Sequence, residues 1–191
     1  MRDLDALLDD LTSDDDEQAE AAAQQIAAWG STAVSPLLEM FETENPDLRW
    51  WAVRALTDFD QPEARQAICR ALTDPSPAVR QCAALSLRER PSTDALPFLI
   101  DSLQDSDRLF ARFAGDALTA AGDLAAPALI EALASEDPFV RIESARALAR
   151  MHASQAIPAL FAALDDPSPM VTYWAEEGLR NAGVEMLFFK A

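Results

Sequence analysis

The sequence predicts an all-α chain: a right-handed α-solenoid (an α-α superhelix) of about six helix pairs with a 30–31 residue period. Three observations carry this: an aliphatic anchor recurring at a fixed period, a helix-capping residue recurring with it, and a composition dominated by Ala and Leu. The anchors are Ile26, Leu56, Leu87, Leu118, Leu148 and Leu179, spaced by 30, 31, 31, 30 and 31 residues. Four residues before each anchor stands a small side chain: Ala22, Ala52, Ala83, Ala114, Ser144 or Ala175. One residue before it come Ala55, Ser86, Ala117, Ala147 and Gly178, with Gln25 the exception. Residues three, four and seven apart share a helix face, so these positions form one core stripe where neighbouring helices approach closely.

The start of each long helix is marked by independent chemistry. Eleven residues before the anchors lie Asp15, Asn45, Ser76, Asp107, Asp137 and Ser168, all good N-cap types. In four of the six units the next residue is proline: Pro46, Pro77, Pro138 and Pro169. Proline at the first helical position loses no hydrogen bond, because that N–H has no intrahelical acceptor. A shorter helix precedes each long one, seeded by residues 4–8, 36–38, 67–69, 97–100, 127–130 and 158–161. Turns fall near Gly30, Asp60, Pro91, Gly122, Ser154 and Gly183. The units are therefore 1–30, 31–60, 61–91, 92–122, 123–153 and 154–183 of a single domain, followed by an apolar tail, 184–191. The first unit carries Asp14, Asp15, Asp16 and Glu17 and a polar second helix, as a solvent-facing end requires. The tail, with Leu187, Phe188 and Phe189, reads as a C-terminal cap folded over the last unit; left uncovered, it would be a docking patch.

Composition excludes several classes. With 33 Asp and Glu against 15 Lys and Arg, the chain carries a formal charge of −18, which disfavours sequence-independent binding to a phosphate backbone. One histidine, His152, cannot build a multi-histidine metal site, and Cys69 and Cys82 cannot build a four-cysteine one. The two cysteines read as buried reduced thiols of a cytoplasmic protein. No leader is read at the acidic N-terminus and no stretch is apolar enough to span a membrane. No cofactor and no metal is expected.

The segment 72–87 reads Leu-Thr-Asp-Pro-Ser-Pro-Ala-Val-Arg-Gln-Cys-Ala-Ala-Leu-Ser-Leu. With the Pro-x-Leu of several short helices, as at 97–99 and 127–129, this Asp-Pro-x-x-x-Val-Arg-x-x-Ala-x-x-x-Leu pattern resembles HEAT-like repeats of the phycobilisome-lyase type. Segments 137–148 and 166–179 resemble it too, although Thr172 replaces the usual Arg. The resemblance implies that Arg49, Arg80 and Arg141 pair with an Asp of a neighbouring turn as a structural ladder, broken at Ala111 and Thr172. It is specific for fold and weak for function, because this repeat serves many unrelated partners.

In a solenoid of this kind the second helices line the concave side. Helical spacing turns two sets of their positions away from the core. The first includes Trp50, Gln81, Arg112, Ile142 and Tyr173; the second includes Arg54, Leu85, Asp116, Arg146 and Glu177. Trp51, Phe113, Trp174 and Arg88 flank them. Trp, Tyr and Arg are the types most often found at interface hot spots, so these residues form the candidate partner-binding face. The stripe of Trp50, Arg54, Arg112, Arg146, Tyr173 and Trp174 suits an acidic-aromatic peptide. Acidic runs at Asp9–Asp10, 14–17, Asp101, Asp105, 136–137 and 165–166 read as solvated surface, or else as a dock for a basic partner.

No Gly-rich phosphate loop, nucleophile elbow or paired nucleophile and base can be read, and His152 sits at a helix end. Deoxyhypusine hydroxylase shares the resemblance, but its iron sits on repeated His-Glu pairs that this chain lacks. A DNA-repair glycosylase of the same repeat type would need a basic inner face. The reading is a non-enzymatic protein-interaction scaffold or adaptor binding a protein or peptide, with no membrane, nucleic-acid or small-molecule partner. Its alternatives are a bilin lyase-like or chromophore-binding protein and an inhibitor or immunity-type protein holding a basic partner on its acidic surface.

Overall fold

The computed structural model describes residues 3–13 and 15–184. These form twelve α-helices and no strand. The first helix of each pair is short: α1 Leu4–Asp10, α3 Val34–Phe41, α5 Pro62–Ala71, α7 Leu96–Ser102, α9 Ala126–Ala132 and α11 Ile157–Ala162. The second is longer in every pair: α2 Asp16–Ile26, α4 Pro46–Leu56, α6 Pro77–Glu89, α8 Arg108–Ala121, α10 Pro138–Met151 and α12 Pro169–Asn181. Asp14 and the apolar tail beyond Val184 lie outside the described residues.

The six expected N-cap residues are the six observed ones. Asp15, Asn45, Asp107 and Asp137 accept backbone N–H groups of their own first turns. Ser76 and Ser168 adopt the extended cap conformation without a side-chain bond, and Pro46, Pro77, Pro138 and Pro169 each open their helices. Helices end where the backbone leaves right-handed space: Gly30 (φ 57, ψ −144) and Gly122 (φ 61, ψ −140) occupy a region that only glycine enters at little cost.

The helix pairs fall into two compact units, Met1–Asp94 and Ala95–Ala191, each holding three pairs. In the first, α4 packs between α2 and α6; in the second, α10 packs between α8 and α12. Each short helix lies against the long helix of its own pair. All six anchors are buried, and so are all six small residues one turn before them. The clearest case of close approach is Gly178 in α12. A Cβ there would stand 2.8 Å from Leu160 Cδ1 and 3.1 Å from the Ala149 Cα of α10.

Successive pairs are also stapled by charge. The Arg49 guanidinium holds Asp74, in the turn before α6, through two bonds of 2.8 Å, and donates to the Thr43 and Glu44 carbonyls of its own turn. Arg141 holds Asp166, before α12, at 2.7 and 3.2 Å and donates to the Ser135 and Glu136 carbonyls. The ladder implied by the family resemblance is thus present at both places. Arg80 donates to the Asp74 carbonyl at 3.0 Å. Burial alone would raise the Asp74 and Asp166 carboxyls, but the arginines, with the Ser76 and Ser168 N–H groups, outweigh it and hold both below the usual carboxylate range.

Several acidic residues read as solvated surface have structural work instead. Asp10 is buried and accepts a 2.6 Å bond from the Gln18 side chain, Asp105 accepts the Asp107 N–H, and Asp137 and Asp166 act as cap and staple. Short carboxylates suit the turns because they can fold back onto the adjoining backbone N–H groups.

Two predictions follow from this packing. Gly178→Ala should lower stability by about 1–3 kcal/mol through overpacking, although a mid-helix Gly→Ala change ordinarily adds up to about 1 kcal/mol. Urea unfolding of the variant decides the sign. The depressed Asp74 and Asp166 carboxyls contribute stability that is complete above the unfolded value of about 3.9 and is lost as pH falls through the folded values. Asp74→Asn with Asp166→Asn should therefore lower the urea midpoint at pH 7 and flatten its decline between pH 6 and pH 3.

Candidate functional site

The outward positions of the second helices divide by burial and by the company they keep. In the first unit, Trp50 and Trp51 are half-buried neighbours on α4, meeting edge to face with centroids 4.6 Å apart at 85°. Cys82 of α6 donates its thiol to the Trp50 carbonyl at 3.8 Å, which ties the base of this pair to the next helix. Arg54, one turn further along α4, bonds Glu20 of α2 through both its Nε and Nη2 and lies 3.9 Å from Asp58. Gln81 and Leu85 are half-buried, and Arg88 is exposed.

In the second unit Tyr173 is exposed and meets half-buried Trp174 edge to face, with centroids 5.1 Å apart at 72°. Phe113 and Ile142 are half-buried, and Glu177 pairs with Arg180 on the same helix. Arg112 is exposed, with its guanidinium 3.6 Å from the Glu143 carboxylate.

Arg146 corrects the expectation that it faces solvent: its relative exposure is 0%. Its Nε donates to Glu143 at 2.7 Å, its Nη1 to Asp116 at 2.7 Å and its Nη2 to the Arg112 carbonyl at 3.1 Å. Arg150 adds a second cation to Asp116 at 2.7 Å. The reason lies on α8, where Gly115 leaves room for the head group. A Cβ on that residue would stand 3.0 Å from Arg146 Nη2 and 3.1 Å from Glu143 Oε2. Arg54 holds the equivalent place in the first unit and likewise reaches back to the preceding second helix. The arginines expected to recruit an acidic partner are largely occupied by carboxylates of their own unit. An interior Gly one position before an Asp, one repeat upstream of an Arg, was the available signal.

The sequence reading also missed a row. Nine residues before the last three anchors stand Leu109, Phe139 and Met170, 51%, 46% and 48% exposed. They occupy equivalent places on α8, α10 and α12, which pack side by side, and Arg108 lies over the Phe139 ring, 3.7 Å from its centroid. The corresponding residues of the first unit are Glu17, Asp47 and Ala78. The switch from polar or small to large apolar at this repeat position, which lies opposite the anchor, was legible in the sequence.

In the first unit, a pocket of about 650 Å³ opens beside Trp50 and Trp51, bounded by Asp16, Glu20 and Asp47. Burial pushes the Cys82 thiol up to about 12 and raises Cys69 as well. His152 is an exposed left-handed cap ending α10 (φ 56, ψ 34). Among the described residues no group of His, Cys, Asp and Glu is placed to hold a metal ion, and no helix is long and apolar enough to cross a membrane.

Paired helices, stacked through small residues and stapled by Arg–Asp bridges, define an α-solenoid repeat protein. The HEAT repeats model matches residues 4–67, 34–119 and 102–180, and the chain belongs to that family. No curated protein matches it significantly. Among solved structures it is similar to YibA of Escherichia coli, with 21% identity over 94% of this chain and 70% of that one and a TM-score of 0.62. It is similar to the complex of CpcE and CpcF of phycocyanin lyase from a Nostoc species, with 23% identity over 94% and 76% and a TM-score of 0.54. A designed armadillo repeat protein in complex with a (KR)4 peptide shows 18% identity over 94% and 99%, also with a TM-score of 0.54. At these identities the likeness establishes the fold.

The contrast between buried and free arginines is testable. Arg146→Ala leaves Glu143 with only the more distant Arg112 and Asp116 with only Arg150 and should cost about 3 kcal/mol or more, whereas Arg88→Ala should stay within about 0.5 kcal/mol. Thermal and urea unfolding of both variants measure the difference.

Proposed function

We propose that this chain is a non-enzymatic scaffold or adaptor that holds a partner protein on the faces of its second helices. The observation that carries the reading is the exposed row of Leu109, Phe139 and Met170, close in repeat position to Tyr173. Burying such a side chain fully is worth about 1.5–3 kcal/mol, and folding leaves about half of that gain unused on three adjacent helices. Contiguous exposed apolar surface of this kind marks docking sites.

Charge favours a basic partner. Arg54, Arg112 and Arg146 face carboxylates of their own unit, so the chain's charge of −18 has little positive relief on this face. This supports the inhibitor or immunity-type alternative as one form of the scaffold, with association steered by charge and weakened by salt. The bilin-handling alternative has the shared fold behind it and no residue-level observation.

The test is capture of partners from the source organism's lysate, with titration of the purified partner against wild type and the Phe139→Ala, Tyr173→Ala double variant. Expected are a loss of about tenfold or more in affinity with the circular dichroism unchanged, and weaker binding as salt rises. A partner bound equally by both proteins would overturn the assignment to this face.

A further inference from the structure

We infer that the pocket beside Trp50 and Trp51 receives a lysine or arginine side chain from a basic segment of the partner. The inference rests on the protein-binding reading above and deepens it. The lining runs from the α1–α2 turn, across Asp16 and Glu20 of α2 and Asp47 of α4, to Ala78 of α6. It is a trough over three successive second helices, in the size range of specific ligand sites. A chain laid across the helices can fill that length, whereas a small free cation would occupy one part of it.

Three features select a cation. Two tryptophans border the trough, and indole is the best aromatic partner for an ammonium or guanidinium group. Asp16 and Asp47 also border it, and among the described residues neither carboxylate pairs with a basic side chain. No lysine or arginine lines it, and the charge of Arg54, one turn beyond Trp50 on α4, is taken by Glu20. A plainer role for Asp16 and Asp47 exists, since acids in a first turn stabilise a helix N-terminus by about 0.3–1 kcal/mol. That role does not call for two half-buried tryptophans beside them. The two helix ends contribute roughly half a positive charge each, which the two unpaired carboxylates outweigh.

A fluorescein-labelled peptide of six Arg-Ser repeats, titrated into the full chain by fluorescence anisotropy, tests the site. Wild type is compared with Trp50→Ala, with Asp16→Asn plus Asp47→Asn, and with Asp101→Asn plus Glu131→Gln, which makes the same charge change in the second unit. Expected is a loss of about tenfold for each pocket variant and less than twofold for the control pair. A Glu-Ser peptide should not bind. Equal weakening by both charge pairs would overturn the inference, because it would mean unspecific attraction to an acidic chain. Spermine binding at the pocket as tightly as the peptide would overturn it in favour of a free polyamine. Failure here is distinct from failure of the scaffold reading: a captured partner that still depends on Phe139 and Tyr173 keeps the scaffold while this pocket falls.

Discussion

The close approach of neighbouring second helices is the constraint on which the rest of the structure depends. Ala22, Ala52, Ala83, Ala114, Ser144 and Ala175 are all fully buried, and Gly178 brings α12 against the backbone of α10. Helices separated by larger side chains would sit further apart, and fixed-length side chains reaching between pairs would fall short. At the observed spacing, Arg49 and Arg141 grip the Asp74 and Asp166 carboxylates with the Nε–Nη2 edge of the guanidinium. Packing by small residues thus comes first, and the polar staples are consequences of it.

The same spacing decides which charges reach solvent. Arg54 and Arg146 stand at outward-facing helical positions, yet each is drawn back onto the preceding second helix by carboxylates there. For Arg146 the head group enters space that Gly115 leaves empty and satisfies its donors on Glu143, Asp116 and a main-chain carbonyl. A buried guanidinium is tolerable only with such pairing, since desolvation would otherwise exceed the gain. The face exposed by this arrangement has lost much of its positive charge and kept its aromatic and aliphatic side chains. That redistribution moves the functional reading from an acidic peptide towards a basic partner.

The two units present different surfaces from the same repeat position. In the first, that position holds Glu17, Asp47 and Ala78, of which Asp47 and Ala78 border an acidic trough beside paired tryptophans. In the second, Leu109, Phe139 and Met170 form an exposed apolar row. Divergence at one solvent-facing position costs the fold nothing, because the stripe that stacks the helices lies on the opposite side. A repeat architecture can therefore vary its contact chemistry unit by unit while its core stays uniform.

The helix pairs, all six N-caps, the anchors and the small-residue stripe were legible in the sequence, because each is a local pattern repeated at one period. The Arg–Asp ladder was legible through the family resemblance. Burial of Arg146 and occupation of Arg54 and Arg112 were not, since each depends on a carboxylate about one repeat away along the chain, and the bond from Gln18 to Asp10 crosses from one helix to the next. Trp50 and Tyr173 were correctly placed off the core, but their settings, an acidic trough and an exposed apolar neighbourhood, are made by residues from other helices. By itself the sequence determined where helices begin, end and bury their faces, through backbone geometry and hydrophobic periodicity. Only the tertiary structure decided which charges remain free, because ion pairing depends on distances across helices that periodicity does not encode.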